Sequence, residues 1–201
     1  MTHECLRIIR DEHTALAAML RSLAMMVARG PGDEPERFFD VLRAMLFYID
    51  EFPERLHHPK ESNLLFPKIA RVAPAVMPTI ERLEQDHLRG ESAVRELQHL
   101  LLAWELLGEA RKPAFVEAAR SYTEFYLEHM RLEEAVLLPQ AEQGLNDADW
   151  QELDAAFSTN CDPLTGQYPR DPAYDRLFTR IVMKAPAPIG LGASTAQANA
   201  R

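Results

Sequence analysis

The chain has 201 residues, 47% hydrophobic and 26% charged, with a formal net charge of −9 at pH 7. That length suits one ordinary domain with a sizeable core and a tail, and no apolar run approaches the roughly 20 residues a membrane span needs. A negative balance without a basic stripe argues against nucleic acid as a partner. The N-terminus, "MTHECLRIIRDEH", lacks the apolar segment of a secretory signal, so a cytoplasmic protein is expected. Cys5 and Cys161 are far apart and form no CxxC, which fits two free thiols in a reducing compartment.

Strand signals are scarce and helical periodicity is strong. Leu6, Ile9, His13, Leu16, Leu20 and Leu23 step by three and four along one face of a first helix, which Gly30-Pro31-Gly32-Asp33 ends. A second helix starts near Glu34 to Glu36 and carries Phe38, Leu42, Met45 and Ile49. Pro53 and Pro59 fall inside it and predict a kink or irregular turn, because each removes a backbone donor. Pro67 to Pro78 reads as the next break. The third helix has Ile80, Leu83, His87, Gly90, Val94, Leu97, Leu101 and Trp104 in its seam. After a turn from Gly108 to Pro113, the fourth seam is Phe115, Ala118, Tyr122, Phe125, His129, Leu132 and Val136. Four amphipathic helices with short connections predict an all-α, antiparallel four-helix up-down bundle over residues 1–146. Residues 147–201 form a C-terminal extension, with short helices expected at Asp147 to Phe157 and Ala173 to Met183. From Lys184 onward the small, Pro/Gly-rich tail is expected to be extended or disordered.

One phrase occurs twice. "HHPKESNLLFP" and "EHMRLEEAVLLP" each place a His four residues before a Glu and a Pro six residues after that Glu. Aligned on the prolines, His57 falls on His129, Glu61 on Glu133 and Pro67 on Pro139. Upstream, "DEH" ends at His13, 44 residues before His57, and "QDH" ends at His87, 42 before His129. Each half of the chain is thus a helical hairpin spelling His, then His-x3-Glu. Residues i and i+4 share a helix face. Imidazole and carboxylate aimed together into a bundle core suit iron or manganese, and zinc less firmly. Bridging carboxylates would hold two ions roughly 3.5–4 Å apart. A carboxylate at a core position is costly unless its charge is compensated, and two with matched spacing point to metal. His3, His58 and His99 lie outside the pattern and are expected at the surface or behind the ligands. A ferritin-like site built on Glu54-x2-His57 and Glu84-x2-His87 is a competing pattern, but His13 and His129 occupy places where that site wants a lone Glu.

On His13, His57-x3-Glu61, His87 and His129-x3-Glu133, with "LLFP" and "VLLP" beside them, the sequence resembles the hemerythrin family, in particular bacterial hemerythrin-like proteins with HHE cation-binding domains. The resemblance covers about residues 3–143 and implies two iron ions with bridging carboxylates and an oxo or hydroxo bridge. Zinc or manganese can take their place in recombinant protein. Oxygen carriers of the family have a fifth histidine, one turn after the first on the third helix. Here that position is Glu91, which reads either as a ligand or nearby carboxylate or as an exposed helical residue. A third carboxylate would stabilise oxidised iron and put simple oxygen carriage in doubt.

The expected function is a metal-binding protein whose non-haem di-iron centre binds or senses a small ligand such as O2 or NO. The alternatives are a di-iron oxidoreductase acting on peroxide or another small oxidant, or an iron donor in iron-centre repair. No membrane partner is expected, and the chain would act as a monomer or homodimer.

Overall fold

The structure is a computed structural model that describes residues 3–165 and 172–192. Helix α1 (Glu4–Arg29) is followed by α2 (Pro35–Ile49), which runs on without a break through a wide-turn segment, Asp50–His57. The same rod continues as α3 (His58–Lys60), a second wide-turn segment, Glu61–Leu65, and α4 (Phe66–Val72). After a short turn come α5 (Met77–Leu107) and α6 (Lys112–Leu132), and α6 extends through a wide turn, Glu133–Leu137, into α7 (Leu138–Gly144). Helix α8 (Asp147–Phe157) and helix α9 (Asp175–Lys184) complete the described chain. The α1 rod touches the α2 and α6 rods, and α5 touches the same two, so four rods close into the expected all-α bundle.

The irregularity expected at Pro53 and Pro59 takes the form of wide turns inside a continuous rod, and the break expected from Pro67 to Pro78 is shorter than predicted. The rod stays helical past Pro53, Pro59 and Pro67, and the break narrows to Ala73 and the turn Pro74–Val76. In the wide turns the backbone bonds run five residues back. Phe66 N–H donates to the Glu61 carbonyl, and Leu138 N–H donates to the Glu133 carbonyl. Each bond closes over a π-type turn that begins at the repeated Glu and ends two residues before the repeated Pro. Such turns accommodate a missing proline donor, and they concentrate at functional sites.

All eight predicted seam residues of α5 are buried. The α6 seam needs correction. Phe115, Ala119, Tyr122, Tyr126 and His129 face inward, while the expected Ala118 and Phe125 lie on its flank. Steps of three and of four fit an apolar pattern about equally, and the inward Glu133 decides the register.

The core divides in two. One apolar cluster runs from Leu16 and Met19 through Phe38, Trp104, Phe115 and Tyr126. The other gathers Leu6, Ile9, Phe66, Ile69, Leu83, Leu137 and Leu138. Helix α8 belongs to the second, burying Trp150, Leu153 and Phe157 there, while Asp154 accepts a hydrogen bond from Cys5 N–H at 2.7 Å. Its start is capped by Asn146 and Asp149 reciprocally. The α9 end closes the first cluster with Ile181 and Ala185. The tail expected to be extended is described only to residue 192; there Ser22 Oγ binds the Pro186 carbonyl and the Ile189 amide. Residues 193–201 lie outside the described chain.

At Gly90 α5 comes close to α6. A Cβ there would stand 1.8 Å from Tyr126 Oη and 2.7 Å from its Cζ. Tyr126 is buried and hydrogen-bonded to Glu54, so it has little room to retreat. Gly90→Ala should therefore lose about 1–3 kcal/mol to overpacking, outweighing the roughly 1 kcal/mol that Ala gains in a helix interior. Urea denaturation midpoints of the two proteins check this.

Candidate metal centre

Between the two apolar clusters lies a layer of buried His and Glu. His13, His57, Glu61 and Glu133 bring ligand atoms within 4.8 Å of one another, and so do His58, Glu61, His87 and His129. Glu61 belongs to both groups and Glu133 to the first only. Within the first, His57 Nε2 lies 2.7 Å from Glu61 Oε1, and His13 Nε2 lies 3.4 Å from Glu133 Oε2. Within the second, His87 Nε2 lies 3.3 Å from both Glu61 Oε2 and His129 Nε2.

These close approaches do not satisfy the groups. Both oxygens of Glu61, both oxygens of Glu133 and His57 Nε2 are buried without a hydrogen bond. Each such group costs several kcal/mol unless something else compensates it. The outer nitrogens are braced instead. His13 Nδ1 is 2.8 Å from Glu134, His57 Nδ1 is 2.5 Å from Glu12, and His87 Nδ1 is 2.9 Å from Ser62 Oγ. His58 Nδ1 is 3.1 Å from Glu54, whereas His129 Nδ1, 3.7 Å from Asp86, makes no hydrogen bond. An acceptor on Nδ1 fixes the tautomer and leaves the Nε2 lone pair inward, the arrangement found behind metal-ligating histidines.

The bracing repeats with the sequence. Glu12, just before His13, braces His57, and Asp86, just before His87, approaches His129. Across the halves, Ser62 after Glu61 braces His87, and Glu134 after Glu133 braces His13.

The proton balance without metal is strained. Burial would lower the His13 pKa, but Glu133 outweighs it and holds the ring up at about 9. Burial works against charge on Glu61 too, yet His57 and His87 hold it well below the usual carboxylate range. Glu133 is pushed up to about 7 by burial and by the charge of Glu61. Cations between the carboxylates would remove this conflict, and the orphaned oxygens and inward nitrogens fit them.

Two expectations are revised. Glu91 stands outside both groups; its side chain is 47% exposed and pairs with Arg95 at 2.6 Å. His58, expected at the surface or behind the ligands, is buried and belongs to the second group. Adjacent residues on a helix splay by about 100°. His57 and His58 can therefore address different groups, which the doublet before Pro59 could have signalled. His3 stacks on Trp150, and His99 is exposed. Glu54 is buried against Tyr122, Tyr126 and His58, and neither it nor Glu84 joins a group, so the ferritin-like pattern is not assembled.

Because Glu133 is raised above its unfolded value, its contribution favours the metal-free fold below about pH 4.5 and is lost as pH rises through about 7. Glu133→Gln removes that loss. The metal-free variant should melt above metal-free wild type at alkaline pH, by about 2–4 °C for each kcal/mol recovered, with the gap closing in acid. Melting curves across this window measure it.

The family model described as hemerythrin HHE cation binding domain matches residues 6–141, which span both hairpins and all the clustered residues. Among curated proteins, no sequence matches the chain. With the matched segment covering more than half its length, the chain belongs to the hemerythrin HHE cation-binding domain family.

Proposed function

We propose that this protein holds two iron ions in the layered His/Glu centre and uses them to bind or sense a small diatomic ligand, O2 or NO. The observation that carries this is the unequal sharing of donors around Glu61. One group has three imidazoles, His58, His87 and His129; the other has two, His13 and His57. A wider cleft borders His58 and His87 of the three-imidazole group, whereas a cavity of about 10 Å³ adjoins the pair with fewer, lined by Glu12, His13, Leu16, Phe52, His57 and His58 among others. That is room for about one water. Leu16 and Phe52 offer an apolar wall to a diatomic molecule, and Glu12 holds His57 in place.

Bound iron would supply a redox-active Lewis acid with affinity for such ligands. His13, His57, Glu61 and Glu133 on one side and His58, Glu61, His87 and His129 on the other would hold it, and the chain would orient it and keep bulk water out. All donors come from one chain, so one copy suffices. Cys5 and Cys161 are free, as suits the cytoplasm, and no helix among the described residues is long and apolar enough to cross a membrane.

Metal analysis of purified protein, with its visible absorption spectrum, tests this reading. Two irons per chain and a near-ultraviolet band that changes on adding azide or NO support it; a chain that takes up no iron refutes it. His58→Ala should lower iron stoichiometry from two towards one, whereas Glu91→Ala should leave it at two. The reverse result would return the fifth position to Glu91. Ligand imidazoles must be neutral and carboxylates ionised, so protons compete with metal. Iron retention against a chelator should fall as pH falls, and the melting temperature of loaded protein should fall with it.

A further inference from the structure

We infer that the turn following α8, residues 158–165, is a working part of the metal centre. Asn160 positions His57 through Glu12, and Asn160 and Asp162 wall the cavity beside the two-imidazole group. This rests on the metal reading above but concerns the C-terminal extension, which lies beyond the matched residues 6–141.

The chain of contacts is short. Asn160 Nδ2 donates to Glu12 Oε2 at 2.8 Å, and that same oxygen accepts from His57 Nδ1 at 2.5 Å. Glu12 and Asn160 are both buried, with relative exposures of 6% and 4%. The other oxygen of Glu12 is buried with no partner. The bond from Asn160 therefore helps decide which way the carboxylate turns and where the His57 ring lies. The side-chain oxygen Oδ1 of Asn160 in turn accepts from Lys60 Nζ, which also donates to Thr159 Oγ1 at 2.8 Å. Lys60 sits one residue before Glu61, so the turn is tied to the rod that carries the shared carboxylate.

The backbone is shaped for this contact. Cys161 is held at φ +49°, in the left-handed region that a non-glycine residue enters at a cost of about 1 kcal/mol or more. The result is that Asn160 and Asp162 both face inward while Cys161 faces solvent. Asp162 is fixed by Tyr48 Oη, which donates to its Oδ2 at 2.6 Å, and by the Leu164 amide at 2.8 Å. Both inward residues line the cavity together with His13 and His57. A turn serving only to end α8 would have no need of the strained residue or of two buried polar side chains.

Among the described residues the second half of the repeat has no equivalent. Asp86 approaches His129 as Glu12 approaches His57, but at 3.7 Å, and His129 Nδ1 is left without a hydrogen bond. The extension thus reinforces the brace on the side with fewer imidazoles.

The test uses the full-length chain loaded with cobalt(II) alone, whose visible bands report the ligand set, and follows its removal by a chelator. Asn160→Ala and Asn160→Asp, the latter isosteric but unable to donate to Glu12, should each lose cobalt about tenfold faster than wild type, the size usual for losing an outer partner of a ligating histidine. Their cobalt bands should shift. Thr159→Ala loosens the same turn without touching Glu12 and should match wild type in both respects. Wild-type behaviour of Asn160→Asp overturns the inference, and so does a Thr159→Ala variant that sheds cobalt as fast as Asn160→Ala. A wild-type chain that takes up no cobalt overturns the metal reading and this inference with it. Normal wild-type uptake with unchanged Asn160 variants overturns this inference alone.

Discussion

Two carboxylates, Glu61 and Glu133, are completely buried at the middle of the bundle with no hydrogen bond to any of their four oxygens. A charge taken out of water at that depth costs several kcal/mol that the apolar packing around it cannot return. Much of the surrounding design can be understood from this constraint. The apolar core is split into two clusters so that a polar layer can lie between them. Five imidazoles present their inner edges to the layer, and carboxylates or a hydroxyl stand at their outer edges. A layer complete only with cations is one that stability alone would not favour, which is consistent with selection for binding.

The twofold repeat explains the pairing of the braces, and its breaks explain the asymmetry. Glu54 and His58 of the first half correspond to Tyr126 and Met130 of the second. The break at His58 adds an imidazole to one group. The break at Glu54 gives that imidazole its brace, with Tyr122 and Tyr126 holding the other carboxylate oxygen. Burial pushes the Glu54 carboxyl up to about 7, against the hydrogen bonds from Tyr126 and Tyr122, which favour its charged form. Gly90 is the complement of this arrangement, since any larger residue would collide with Tyr126. The group left with two imidazoles is the one that the C-terminal extension reaches.

The wide turns connect backbone to site. Two of the three begin at a repeated Glu and end ahead of a repeated Pro, so the proline's missing donor and the bend of the carboxylate into the core are met by the same local change. The prolines that interrupt the sequence pattern do not interrupt the rods.

Much of this was legible in the sequence. Apolar periodicity was enough for the rods, because the hydrophobic effect rewards one face regardless of partner, and the seam of α5 from Ile80 to Trp104 is buried throughout. The spacing of His13, His57, Glu61, His87, His129 and Glu133 was enough to bring six residues into the metal layer, because i and i+4 share a face in any helix. Tertiary structure decided the rest. Whether His58 or Glu91 enters the layer depends on the rotation of each rod about its axis, and a pattern of threes and fours leaves that rotation open by about a residue, as the α6 seam also shows. The contact between Asn160 and Glu12 joins residues 148 positions apart, and no local spacing encodes it. It exists because Trp150, Leu153 and Phe157 dock α8 against the second apolar cluster, and only that docking places the following turn at the mouth of the centre.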